Sequence, residues 1–203
     1  MPSARTVMEF EITLRDVAPR TWRRIEVPST YTFWDLHVAI QDAMGWQDSH
    51  LHRFEVINRA TFAREEIGIP DEDGWEMEVK VHAGWTVPIG AYFITTDVSL
   101  PYTYDFGDDW QHDVRLVAIR PRVAGEKYPR CTGGEFSCPP EDCGGAPGYE
   151  RFQQIVANRR HKEHKEMLAW AGGHFDAFAF DAARVKFDDP KKRWRRAFGP
   201  GAG

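Results

Sequence analysis

The 203 residues are 42% hydrophobic and 13% aromatic, with eight tryptophans, which suits a folded globular chain and excludes a disordered polymer. No run approaches the roughly 20 apolar residues of a membrane span, and the opening MPSARTVMEFEI lacks the apolar core of a signal peptide, so a cytoplasmic location with no membrane partner is expected. The net charge is −5, yet residues 191–203 hold five Lys/Arg and no acid, which leaves residues 1–190 at −10 and argues against a body lying along a phosphate backbone.

Residues 7–15 alternate Met8, Phe10, Ile12 and Leu14 with Glu9, Glu11, Thr13 and Arg15, the period of a half-buried strand. A turn at DVAP (16–19) and a second β-like run at 21–28 make a hairpin. A helix follows over 32–45, with Thr32 as N-cap, Asp35 at the third helical position and Tyr31 with Leu36 as a hydrophobic staple. Its apolar stripe is Leu36, Ala39, Ile40, Ala43 and Met44, and Gly45 stands where a left-handed residue ends a helix. A third strand is expected at 50–57, a loop at 64–74, a fourth strand at 75–82 and a short one at 92–95. Residues 102–106 and 110–119 read as a hairpin around a two-residue Gly107-Asp108 turn. A loop of about 25 residues follows Pro121, then helices over 148–160 and 161–173 and a third over 176–187. These elements predict an α+β fold, a single domain with a mixed, mostly antiparallel sheet, an N-terminal ββα unit and a helical C-terminal part. The domain is expected to span 1–190, with 191–203 a basic flexible tail.

Two regions carry candidate chemistry. Strand periodicity sets His50 and His52 on one face with Phe54 and Val56, and His112 on one face with Trp110, Val114 and Leu116. Each can be a buried imidazole satisfied by backbone or carboxylate. Alternatively the three converge with Asp105, Asp108 or Asp109 in one pocket fit for acid/base work or a divalent metal.

The second region is YPRCTGGEFSCPPEDCGG (128–145), which holds Cys131, Cys138 and Cys143. An odd number of cysteines in a reducing compartment argues against a disulfide framework. Their C-x6-C-x4-C spacing is loose for structural zinc, and a fourth ligand would come from His112, His161 or His164. Glu126, Glu135, Glu141 and Asp142 surround the loop and disfavour a nucleophilic thiolate. Pro139-Pro140 between two Gly-Gly pairs gives the loop a defined shape, presenting Glu141 and Asp142 just before a helix. The candidate pocket is therefore His50, His52, Asp105, Asp108, Asp109, Trp110, His112, Glu141 and Asp142. Its metal-ligand alternatives are His50, His52 and His112, or the three cysteines. No cofactor is called for, and zinc is the metal that either set would take.

Four stretches in order, PRTWRRIEVP (19–28), FWDLHVAIQDAMGWQDSHLHRFEV (33–56), YTYDFGDDWQHDV (102–114) and CPPEDCGGAPGYERF (138–152), resemble the Ri-plasmid (pRiA-type) ORF-three-like family, insertion-element passenger proteins loosely labelled resolvase-like. The resemblance implies one α+β domain on a plasmid or mobile element and brings no established activity; residues 191–203 lie outside it. Recombinase chemistry is not supplied by these residues: Ser3 and Ser29 lack an arginine setting, and the last tyrosine is Tyr149. Two readings follow: a non-enzymatic binding or interaction module for a protein or small-molecule ligand, with nucleic acid limited to the basic tail, or a metal-dependent or acid/base enzyme using the His/Asp pocket.

Overall fold

The structure is a computed structural model that describes residues 5–70 and 79–199. It opens with β1 (Thr6–Leu14) and β2 (Trp22–Pro28), paired antiparallel with Phe10 opposite Ile25. Helix α1 (Phe33–Met44) is set by both bonds of a capping box between Thr32 and Asp35 and ends on left-handed Gly45 at φ 88°. Then come β3 (His52–Ile57), β4 (Arg64–Gly68), β5 (Lys80–Ala83), β6 (Ser99–Tyr104), β7 (Trp110–Pro121) and β8 (Arg130–Glu135). Helices α2 (Gly145–Ala157), α3 (His164–Trp170) and α4 (Pro190–Phe198) complete the chain. The strands form one sheet in the order β5-β4-β3-β6-β7-β1-β2-β8, with β4 and β5 parallel and the other neighbours antiparallel. The fold is α+β.

Period 2 in the strands puts one face of this sheet against α1. Phe10, Ile12, Ile25, Phe54, Ile67, Tyr102, Val114 and Leu116 meet Phe33, Leu36 and Ile40 in one buried cluster. Phe33 stands edge-on to Phe54 with centroids 5.0 Å apart, and Phe93 edge-on to Phe10 at 4.7 Å. Each such side chain contributes about 1.5–3 kcal/mol by leaving water. Arg23 is a cation on this inward face. Its guanidinium, fully buried, donates to the carbonyls of Ala43, Trp22 and Glu135 and lies 3.7 Å over the Phe180 ring. The opposite face is charged. Glu9 lies opposite Glu26; Arg120 bridges them, Arg24 pairs with Glu9 and Arg130 with Glu26, while Glu11 takes Arg20, Arg24 and Arg115.

Several expected elements differ. Residues 64–68 of the expected loop form β4, because Ile67 is buried and Glu65 is held by Asn58 and His82. Of the expected strand at 75–82, residues 75–78 lie outside the described residues; Lys80–Ala83 is strand. Residues 92–95 are not a strand but follow a 3-10 turn at Ile89–Ala91. The hairpin turn is five residues, 105–109, and not Gly107-Asp108: Tyr104 pairs with Trp110, and Asp105 accepts from the amides of Gly107 and Asp108. The long loop contains β8, and 176–187 carries only a 3-10 turn at Ala182–Arg184. Residues 191–198 of the expected flexible tail belong to a docked helix, Pro190–Phe198, pinned by Asp189 at its N-terminus and by aromatic contacts described below. Among the described residues, no helix is long and apolar enough to cross a membrane.

Candidate functional site

The three histidines expected to converge do so only in part: His52 and His112 are buried in the core, whereas His50 precedes the first residue of β3 and stays at the rim. His52 on β3 faces the core and stacks on His37 of α1, with centroids 3.4 Å apart and planes 8° from parallel. His37 Nε2 is 2.6 Å from Asp48 Oδ1, its Nδ1 is 2.8 Å from the Tyr102 hydroxyl, and that hydroxyl also accepts from Gln41 at 3.0 Å. Burial, with His37 alongside, holds His52 well below the usual imidazole pKa, and its Nδ1 has no hydrogen-bond partner. Donor atoms of His37, Asp48 and His52 lie within 4.8 Å of one another. A metal nevertheless lies close to the plane of each imidazole that binds it, about 2 Å from the nitrogen, and nearly parallel planes 3.4 Å apart share no such point. The same geometry leaves no N–H···N bond between the two rings, so the pair is a packed stack.

His112 is also in the core, on the other side of Tyr102. Its Nδ1 meets the Tyr102 carbonyl at 3.3 Å, its ring packs on Trp46, and burial lowers its pKa to about 4. A metal site made of His50, His52 and His112 is therefore not what the fold builds: two of the three are buried on either side of one tyrosine ring.

His50 lies at the rim, just before β3, where the hairpin turn and the 139–145 loop bring three carboxylates to it. Its Nε2 is 2.9 Å from Asp142 Oδ1, 3.6 Å from Asp105 Oδ2 and 3.7 Å from Glu141 Oε2. The nitrogen is shielded from solvent and makes no hydrogen bond of acceptable angle, whereas the Asp142 side chain is 68% exposed. Each carboxylate is aimed by its own local bonds. Asp105 Oδ1 takes the amides of Gly107 and Asp108, leaving Oδ2 toward His50; Glu141 receives the Tyr104 hydroxyl at 3.1 Å and the Gln47 amide. Burial and Glu141 push the Tyr104 phenol upward, so it stays a donor. Asp105 and Asp142 both adopt left-handed φ, at 55° and 56°. No Lys or Arg among the described residues forms an ion pair with Asp105, Glu141 or Asp142.

The loop at 139–145 is one wall of this rim. Trp46 Nε1 donates to the Pro139 carbonyl, and the Gly144 amide donates to Asp108 Oδ2 at 3.1 Å, so Asp108 ties the hairpin turn to the loop without facing His50. Asp109 turns outward to Gln111, and Trp110 is buried beside Trp46. The cysteines do not converge. Cys131 Sγ points to the Gly133 carbonyl, Cys138 lies between Arg23 and Met44, and Cys143 precedes α2. Burial raises all three thiols, Cys138 to about 11 and Cys143 to about 12. His161 and His164 are engaged by the backbone of Glu163 and Ile155, and no ligand cluster among the described residues contains a cysteine.

Residues 6–184 match the family model described as plasmid pRiA4b ORF-3-like protein. The chain belongs to that family. This pRiA4b ORF-3-like protein is 34% identical over 194 residues to the uncharacterized protein y4hQ of Sinorhizobium fredii, covering 94% of this chain and 95% of that one. It is also similar to a crystal structure of a protein of unknown function, MM3350 from Methanosarcina mazei Go1, with a TM-score of 0.81 and 37% identity over 91% of this chain and all of that one. Neither relative's name assigns an activity.

In the pRiA4b ORF-3-like protein the rim adjoins a cleft between the loop, α2 and α3, lined by Asp142, Arg151, Phe152, Glu163, Met167 and Trp170. Sequence reasoning missed His37, Gln41, Asp48 and Tyr104. A signal was present for two of them: His37 and Gln41 are spaced i, i+4 beside the apolar stripe of α1, which places both on a buried flank.

Proposed function

We propose that the protein is a binding module built around one divalent cation, held at the rim by His50, Asp105 and Asp142, whose ligand atoms lie within 4.8 Å of one another, with Glu141 beside them. One observation carries this reading. An imidazole nitrogen without a well-angled hydrogen bond stands 2.9 to 3.7 Å from three carboxylate oxygens that no Lys or Arg among the described residues neutralises. Ligand atoms about 2.1 Å from a common ion are separated by roughly 3–3.5 Å, so the spacing suits the edges of a coordination shell. One nitrogen with carboxylate oxygens suits Zn²⁺ or Mn²⁺ better than a thiolate-seeking ion. The Tyr104 hydroxyl and the amides of Gln47, Gly107 and Asp108 supply the outer hydrogen bonds that orient such ligands. Exposure of Asp142 leaves the ion open toward the cleft, where a ligand oxygen would complete its shell.

The test is calorimetric titration of chelator-stripped protein with Zn²⁺ and with Mn²⁺. One site per chain is expected, weakened at least tenfold by His50→Ala and by Asp105→Asn. Absence of saturable binding, or equal binding by both variants, refutes the reading.

A further inference from the structure

The C-terminal basic segment is absorbed neither by the cation site nor by the matched family region, which ends at residue 184. Its nine-residue helix has a clean division of labour. At 100° per residue, Lys191, Lys192, Arg195 and Arg196 fall within an arc of about 140°, while Arg193, Trp194 and Phe198 fall on the other side. The second arc docks. Phe198 packs on Trp34 and Trp85 at 5.5 and 5.2 Å, Trp194 on Trp85 at 6.0 Å, and Trp34 Nε1 donates to the Pro190 carbonyl at 3.0 Å. Arg193 locks the helix to Asp42 at 2.7 Å and Asp188 at 3.4 Å. The first arc is left in water. Lys191, Lys192 and Arg195 form no ion pair among the described residues, and Arg196, 73% exposed, reaches only Asp188 at 3.4 Å.

We propose that α4 is a phosphate-contacting surface through which the protein sits on duplex nucleic acid. A polyanion is the complement of four outward cations on a chain whose first 190 residues sum to −10, and the acidic body confines contact to this face. Residues four apart on the helix rise about 6 Å, close to two steps of roughly 3.4 Å along one strand of a duplex. An anionic lipid surface fits less well. A membrane-lying basic helix buries its apolar side in the bilayer, and here Trp194 and one side of Phe198, which is 36% exposed, already pack on Trp34 and Trp85. Docking also fixes the cations before any partner arrives, so binding need not order a tail.

The experiment follows fluorescence anisotropy of a labelled DNA duplex with the full-length protein across a salt series. The expected slope of log affinity against log salt is about −3.5, near 0.9 for each of four phosphates neutralised. Combined Lys191→Glu, Lys192→Glu and Arg195→Glu should lower affinity at least tenfold while leaving the near-ultraviolet dichroism and melting temperature unchanged. Trp194→Ala with Phe198→Ala should undock the helix and weaken binding with all cations retained. No binding at low salt, wild-type binding by the charge-reversed protein, unchanged binding by the undocked one, or stronger capture by phosphatidylserine vesicles than by duplex would each overturn the proposal.

Discussion

Replacing Arg23 with methionine probes how the candidate loop is held in place. The guanidinium donates to the carbonyls of Ala43 at the end of α1, Trp22 on β2 and Glu135 at the end of β8, at 2.8 to 2.9 Å, and reaches Cys138 Sγ at 3.2 Å. Methionine fills much of the same space but offers no donor. Two or three buried carbonyls then lose their partner, each at about 1–3 kcal/mol, and the stacking on Phe180 is lost as well. Relief from burying a guanidinium offsets part of this, so a net loss of about 3 kcal/mol is expected. With a urea slope of about 2 kcal/mol/M, the unfolding midpoint falls by about 1.5 M. Arg23→Lys, which keeps the charge but only part of the donor fork, should lose roughly half as much. Urea unfolding followed by tryptophan fluorescence measures both. A methionine variant within about 1 kcal/mol of the natural protein, or a lysine variant as damaged as methionine, refutes the idea that these carbonyls depend on the fork.

Acid should expose His112. Its folded pKa near 4 lies below the roughly 6.5 of an unfolded chain, so its neutral form stabilises the fold above pH 6.5 and this contribution is lost as pH falls to about 4. The loss amounts to roughly 3 kcal/mol, and His112→Phe should flatten the pH profile of unfolding by that much; an unaltered slope would rule His112 out. Gly145→Ala places a Cβ 2.5 Å from the Asp108 carbonyl at a φ of 67°, so it should cost about 1–3 kcal/mol and weaken cation uptake by displacing Asp142. A wild-type melting temperature for that variant would contradict the close approach. With Cys138 and Cys143 raised to about 11 and 12, alkylation by iodoacetamide at pH 8 should be slow in the folded protein and rise on unfolding, as mass spectrometry can follow. Rapid modification of either thiol before unfolding would count against it.

The N-terminal half was legible because its signals are local. Alternation in β1, the Thr32/Asp35 cap and Gly45 are written within single turns or strands, and all three stand in the structure. What was not legible depends on partners distant in sequence. Arg130–Glu135 reads as a Cys- and Gly-rich loop, yet it pairs with β2, and Gly134 is required because a Cβ there would meet Phe180 at 2.5 Å. Arg64–Gly68 hides as a charged stretch because its acids are satisfied across the strand by His82 and Arg53. The tail looked like solvated charge until its Trp and Phe found Trp34 and Trp85. At the rim, His50, Asp105, Glu141 and Asp142 were all visible as candidates. Their separation from His52 and His112 was not, because the strand begins only at His52, so the alternation that would set His50 beside it stops short of His50.

The uncovered face of the sheet has a consequence for how this protein can change. Glu9 and Glu26 oppose each other across neighbouring strands, a repulsive placement offset by Arg120 of β7 between them, Arg24 of β2 on Glu9 and Arg130 of β8 on Glu26. Loss of one arginine leaves two adjacent, nearly buried carboxylates competing for the remaining cations, so single substitutions there should be penalised more than paired ones. Viable variants would therefore arrive as compensated sets, for instance Glu26 and Arg130 lost together. The face would also stay free of apolar replacements that let two such sheets stack.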